Sequence, residues 1–367
     1  MAVFYDALVI NGPPSGVEYA VAELMKALAN AGADVTFVCR RRLADAEPWL
    51  PKQKVVVAPW WAAGRAGRVL AEQLWLPRLG GRRDVIHGPA YVLPIRWRGP
   101  SVVTVYDLVA LRFPQWTKPA NARHYQAVVP ASVRKADVVV VPSEHVAREI
   151  VEIIQVPASK IRVIPLGVRS AVRCGASAAA IERLSQRYGL SDRFFAVVGN
   201  IEPKKNIAGV VAAFDIAANH IPHELVLVGG KNWRSGPDMR AIAAARHRGR
   251  IRLLGRVSDD DLPALYARAT AVVQWSLYEG FGMVPLEAMM CGSAAIVSDG
   301  GALPETAGPG AYVVPLGDPR DLAEAMIRVA TDDAFRSQLV ERGRKWAERF
   351  SWEAHAAAVM DIYEALA

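Results

Sequence analysis

The 367-residue chain is long enough to hold two domains with their own cores, and 52% hydrophobic against 22% charged residues excludes a disordered chain. Cys39, Cys174 and Cys291 show neither CxxC nor Cys/His spacing, which argues against a zinc site or a disulfide framework; with no run of about 18 uncharged apolar residues and no leader-like pattern in Met1 to Ala20, a cytoplasmic protein is expected. The net charge of +8 is uneven, with 23 Lys and Arg against 13 Asp and Glu in residues 1–175 and 21 against 23 in residues 176–367, so the first half is expected to face something anionic.

The chain opens with strand-like FYDALVI and DVTFVC, followed by its most basic part, Arg40 to Arg83, which also holds Trp49, Trp60, Trp61 and Trp75. Within it AGRAGRVLAEQLWLPRLGGRR suits a basic helix with Leu and Trp on one face. Such a helix either lies on anionic lipid headgroups or is solvated with its tryptophans packed inward, and no nucleic-acid motif accompanies the charge. SVVTVYD, DVVVVP and IRVIPLG come next. PLGVRSAVRCGAS then marks a boundary between a domain at residues 1–170 and one at 171–350, with a helical segment at 351–367. The second domain restarts with RFFAVVG, HELVLVGG, IRLLG, AVVQWS and AAIVS. Strands alternating with helical stretches predict two doubly wound parallel sheets, which bind ligands outside the carboxyl ends of their strands.

The segment YEGFGMVPLEAMMCG carries the chemistry. Pro285 suits a helix start and Gly292 its end, which predicts a helix from about Val284 to Cys291. Glu279 then lies on the preceding loop and Glu287 in the first turn. The N–H groups of Phe281, Gly282, Met283 and Val284 are helix-start donors suited to a phosphate. The flanking carboxylates suit hydroxyls on either side of it, the layout of a nucleotide sugar; the alternative is a dipole-complementing Glu287 and a solvated Glu279. In GNIEPKKN, Lys204 and Lys205 stand between a strand and a helix, where an ammonium can neutralise a diphosphate. Arg256 and Val257 follow IRLLG, and Lys231 and Trp233 follow HELVLVGG, all at strand ends. His87 in DVIHGP follows a strand and is either structural or acceptor-binding. NGPPSGVEYAVAEL lacks GxGxxG, which argues against a dinucleotide dehydrogenase.

EGFGMVPLEAMMCG with AAIVSDGGALPET resembles the two-glutamate signature of the retaining GT-B glycosyltransferases of family 4. GNIEPKKNIAGVVAAF, IRLLGRVSDDDLPALYARA, VVTVYDLVALRFP, VVPSEHVAREI and FSWEAHAAAVMDIYEAL resemble other segments of that family. The resemblance implies an α/β GT-B fold, two Rossmann-like domains facing each other across a deep cleft, with the last helix crossing back to the N-terminal domain. It implies that Glu279 meets the donor sugar, Glu287 the ribose, Lys205 the diphosphate, and Arg256 and Val257 the base. Backbone at Gly16 would approach donor or acceptor. Asn200 stands where many relatives have Arg or Thr, and Tyr106-Asp107 where they usually have His-Asp. The implied reaction is transfer of a hexose, mannose or glucose, from a GDP- or UDP-sugar with retention, using no metal and no enzymic nucleophile. A lipid-linked or cell-surface glycan precursor, at an anionic membrane surface, is the expected acceptor. A GT-B nucleotide-sugar epimerase and a non-catalytic nucleotide-sugar-binding subunit are the rival readings.

Overall fold

The computed structural model describes residues 2–11, 16–173 and 175–366, except the side chain of Ser185. Gly12 to Ser15 of the NGPPSG loop and Cys174 lie outside the described residues. The chain forms two compact units. The first comprises Met1–Arg112, Pro119–Gly167 and Ser351–Ala367, the second Phe113–Lys118 and Val168–Phe350.

The first unit is built on β1 (Val3–Asp6), β2 (Val35–Cys39), β3 (Val55–Val57), β4 (Val85–Gly88), β5 (Ser101–Thr104), β6 (Val138–Val141) and β7 (Ile161–Val163), in the order β3-β2-β1-β4-β5-β6-β7. The second carries β8 (Phe194–Val198), β9 (Glu224–Val228), β10 (Ile251–Gly255), β11 (Ala271–Gln274), β12 (Ala294–Ser298) and β13 (Ala311–Val314), in the order β10-β9-β8-β11-β12-β13. Every pairing is parallel. Central strands such as β1, β4, β5, β11 and β12 are buried at every residue, because helices cover both faces of a parallel sheet, and this is why they read as continuous apolar runs. The edge strands β3 and β13 are short and only partly buried, and they are absent from the strands expected above. Each sheet reverses its winding once, between β1 and β4 and between β8 and β11. Those are the places where a crevice opens at the strand ends.

The basic segment is helical but irregular. A helix over Gly64–Leu70 passes into a π turn at Ala71–Trp75 and a 3-10 turn at Leu76–Arg78. Trp75 packs against the core of the first unit, while Trp60 and Trp61 are exposed. Among the described residues no helix is long and apolar enough to cross a membrane.

The last helix, Trp352–Ala365, belongs to the first unit and packs on the helix Val17–Asn30. Its N-terminus is capped by Ser351, whose hydroxyl accepts from Ala354 N–H at 3.0 Å. Two histidines seat it. The His355 ring donates through Nδ1 to the Pro165 carbonyl at 2.9 Å. His87 places Nδ1 2.5 Å from the Tyr363 hydroxyl and Nε2 2.8 Å from Thr104 Oγ1. His87 lies within β4, not after it, and is 0% exposed. The acceptor-binding expectation for His87 is therefore corrected: both ring nitrogens are engaged inside the core and no surface is left for a ligand.

Desolvation lowers the pKa of His87 to about 3 and of His355 to about 4. Both are neutral in the fold, whereas the unfolded chain binds their protons below pH about 6.5. Their contribution to stability is complete above that pH and declines as pH falls toward the folded values, by about 1.4 kcal/mol per pH unit per histidine. Urea unfolding between pH 7.5 and 5 should show this slope, and His87→Asn should flatten it by about one histidine's share of 1.4 kcal/mol per pH unit. An unchanged slope in the variant would contradict the assignment.

Candidate functional site

The second unit gathers its charged loop residues where its sheet reverses. The loop leaving β8 makes a 3-10 turn at Pro203–Lys205, and Asn206, with a left-handed φ of 54°, starts the helix Ile207–Ala217. The loop leaving β11 carries Glu279. The two are tied by Leu277 N–H donating to the Lys204 carbonyl at 2.7 Å and Asn206 Nδ2 donating to the Trp275 carbonyl at 3.3 Å. β8 and β11 are neighbours, so residues more than 70 positions apart are brought face to face.

Glu279 is the focus. It is 8% exposed, with Lys205 Nζ 2.7 Å from Oε1 and Lys204 Nζ 3.3 Å from Oε2. Burial alone would raise its pKa, but the two ammonium groups outweigh burial and hold the carboxyl at about 2. Glu279 is thus ionised throughout the neutral range. Its backbone is clamped from behind: Ala302 N–H donates to the Glu279 carbonyl at 2.8 Å, and a Cβ at Gly301 (φ +64°) would lie 2.3 Å from that same oxygen. Only glycine fits there.

The helix after this loop runs Met283–Met290, one residue earlier than expected, so Glu287 falls in its second turn rather than its first. Gly282 precedes it with φ 115°, and Phe281 beside it is 6% exposed. The N–H groups of Met283 and Val284 have no partner within the helix. Glu287 is 1% exposed and is gripped by Arg169, whose Nε and Nη2 donate to Oε1 and Oε2, the latter at 2.7 Å. The Tyr266 hydroxyl adds a third bond to Oε2 at 2.8 Å. The structure therefore joins Lys204, Lys205 and Glu279 directly and gives Glu287 a separate set of partners. Sequence reasoning missed Arg169 and Tyr266. Arg169 is 118 residues from Glu287 and no local pattern announces it. Gly301 was within a quoted motif, and its paired glycines were the available signal.

The other expected donor residues stand at strand ends. Asn200 Oδ1 accepts from Gly230 N–H at 3.1 Å, and Ile201 and Lys231 form an isolated parallel bridge beyond β8 and β9. Lys231 and Arg256 are exposed and Val257 is buried. In the first unit Gly16 is exposed, with φ +50°, just before the helix Val17–Asn30. Tyr106 is 7% exposed, its ring edge-on to Tyr91 at 5.8 Å. Asp107 Oδ1 accepts from Val109 N–H at 3.2 Å.

Two family models match the chain: "Glycosyltransferase Family 4" over residues 14–171 and "Glycosyl transferases group 1" over residues 181–346. The chain is similar to O-antigen chain mannosyltransferase B of Escherichia coli, 30% identical over 285 residues that make up 77% of this chain and 74% of that one. It is also similar to a D-inositol 3-phosphate glycosyltransferase of Salinispora arenicola, 25% identical over 96% of this chain and 88% of the relative. Among solved structures, Anabaena Alr3699/HepE in complex with UDP and glucose superposes with a TM-score of 0.77 at 19% identity, covering 99% of both chains. With two parallel α/β units, matching models over both halves and that relative, the chain belongs to the group 1 glycosyl transferases, glycosyltransferase family 4, of GT-B fold.

Proposed function

We propose that this glycosyltransferase moves a hexose from a nucleotide-diphosphate sugar to a hydroxyl of a glycan precursor, with the anomeric configuration retained. The observation that carries the reading is the Lys204–Glu279–Lys205 cluster at the reversal of the second sheet, next to a helix start whose first N–H groups have no partner within the helix. The two ammonium groups now neutralise Glu279. A diphosphate entering beside them would take over part of their charge, leaving Glu279 to accept hydrogen bonds from sugar hydroxyls. As the sugar–phosphate bond breaks, charge grows on the leaving oxygen, and Lys205 with the amides near Met283 stabilises it without a metal ion. The acceptor oxygen bonds to the anomeric carbon on the face the phosphate leaves, and its proton passes to that phosphate. Glu287 would meet the ribose, whose hydroxyls then compete with Arg169 for the carboxylate. The names of relatives support mannose, and solved neighbours with UDP and UDP-glucose support a uridine donor as the alternative. A thermal-shift screen of GDP- and UDP-sugars decides between them.

We place the acceptor at a membrane surface. Trp60 is 89% exposed, and Trp61, Leu70, Leu74 and Ile95 are exposed beside Arg65 and Arg78. Leu70 and Leu74 are one helical turn apart, and Ile95 is tied to this segment by its N–H bond to Gln73 Oε1 at 3.0 Å. Large apolar side chains interleaved with arginines suit the headgroup layer of an anionic bilayer, at the inner face of the cytoplasmic membrane.

Lys205→Ala should weaken binding of bare UDP or GDP by about tenfold to a hundredfold, the loss of one charge-assisted hydrogen bond. Glu279→Gln should cost turnover about a hundredfold or more while nucleotide affinity changes little. Equal losses of both in Glu279→Gln would refute its assignment to the sugar. In sedimentation, phosphatidylglycerol vesicles should bind the protein more tightly than phosphatidylcholine vesicles, and Trp60→Ser with Leu70→Ser should abolish the difference. Equal affinity of the unaltered protein for both would disprove membrane docking.

A further inference from the structure

The stretch Phe113–Lys118 belongs to the second unit, although the residues on either side of it belong to the first. It leaves the helix Val109–Arg112 at Phe113, whose φ of −129° and ψ of 61° are non-helical, because a following proline keeps a residue out of the helical region. Pro114–Trp116 then makes a 3-10 turn, closed by Trp116 N–H donating to the Phe113 carbonyl at 2.9 Å. Side chains three residues apart eclipse in such a turn. The Phe113 and Trp116 rings accordingly stack, with centroids 4.2 Å apart and planes 19° from parallel. Phe113 to Trp116 is thus a stiff aromatic strap.

The strap meets two loops that leave the second sheet. On the loop after β11, the Phe113 ring lies edge-on to Tyr278 with centroids 5.4 Å apart. Tyr278 is 3% exposed and immediately precedes Glu279. On the loop after β9, Arg234 Nη1 donates to the Gln115 carbonyl at 2.9 Å. Arg234 has φ 59°, a left-handed conformation that costs energy in any residue other than glycine and gathers at functional sites. A connection between two helices of the first unit needs only to span their ends. This one carries an aromatic pair to the residue beside Glu279 instead.

The backbone of the Glu279 loop is held by the bonds from Asn206 Nδ2 to the Trp275 carbonyl, from Leu277 N–H to the Lys204 carbonyl and from Ala302 N–H to the Glu279 carbonyl. The Phe113 ring adds a hold on a side chain of that loop. Consecutive Cα atoms are a fixed ~3.8 Å apart, so a displacement of Tyr278 carries Glu279 with it. The ion pairs of Glu279 with Lys205 at 2.7 Å and Lys204 at 3.3 Å leave little room for such movement. A misplacement of about 1 Å at a reacting site costs about a hundredfold in rate, even when its cause lies away from the chemistry.

We propose that Phe113, backed by Trp116, is a positioning residue for Glu279. It holds Tyr278 in place and so keeps the Glu279 carboxylate where it meets both lysines and the donor sugar. The part played in turnover rests on the transferase reading above, but the hold on the loop does not.

Hydrogen exchange of the full chain reads the loop directly. Phe113→Ala should speed exchange of the Leu277 and Ala302 amides about tenfold, leave the amides of β8 unchanged, and be reversed by Phe113→Tyr, which keeps the ring. Turnover is read as transfer of the sugar of GDP-mannose or UDP-glucose to water. Phe113→Ala should lower kcat about tenfold or more while KM and the affinity for bare GDP or UDP stay within about twofold, and Phe113→Tyr should restore kcat. Arg234→Met removes the bond to Gln115 from an exposed position and should act in the same direction, about threefold, so the proposal stays testable if Phe113→Ala fails to fold. Unaltered exchange at Leu277 and Ala302 in these variants, or a loss of nucleotide affinity as large as the loss of kcat, overturns it. If the unaltered protein turns over neither donor, the transferase reading fails, and the exchange rates still decide whether the strap holds the loop.

Discussion

A carboxylate taken out of water stays ionised only if cations come with it, and the second unit is organised around that requirement at Glu279. Burial works against the charge, and Lys204 and Lys205 overcome it. Two ammonium groups against one carboxylate leave the cluster with a net positive charge. The clamp behind Glu279, from Gly301 and the Ala302 N–H, fixes the backbone that carries the carboxylate.

The two units apply one architectural rule with different electrostatics. In each, a parallel sheet reverses its winding, and side chains from neighbouring strand ends converge at that point. At β8 and β11 the convergence sets two ammonium groups against one carboxylate. In the first unit Asp6, at the end of β1, and Glu72 are both buried, and Arg68 pairs with Glu72.

His87 shows how burial governs what a residue can do. A histidine near a strand end is a fair candidate for contact with substrate, yet inside β4, bonded to Tyr363 and Thr104, it fastens the last helix to the first unit. Its neutral state follows from desolvation and gives the fold an acid-sensitive point unrelated to catalysis.

The fold class was legible because buried parallel strands must be apolar throughout, so runs such as FFAVV and AAIVS stand out whatever surrounds them. Lys204, Lys205 and Glu279 could be singled out because each lies a few residues past a strand end, a position set by local sequence. The short edge strands β3 and β13 could not, since three or four half-buried residues carry little periodic signal. Nor could the bidentate grip of Arg169 on Glu287, or the burial of Glu72 beside Arg68. These depend on which strands are neighbours and on how deeply each charge is buried. Sequence fixes the order of charged residues along the chain; their partners and ionisation are decided only when folding removes water from between them.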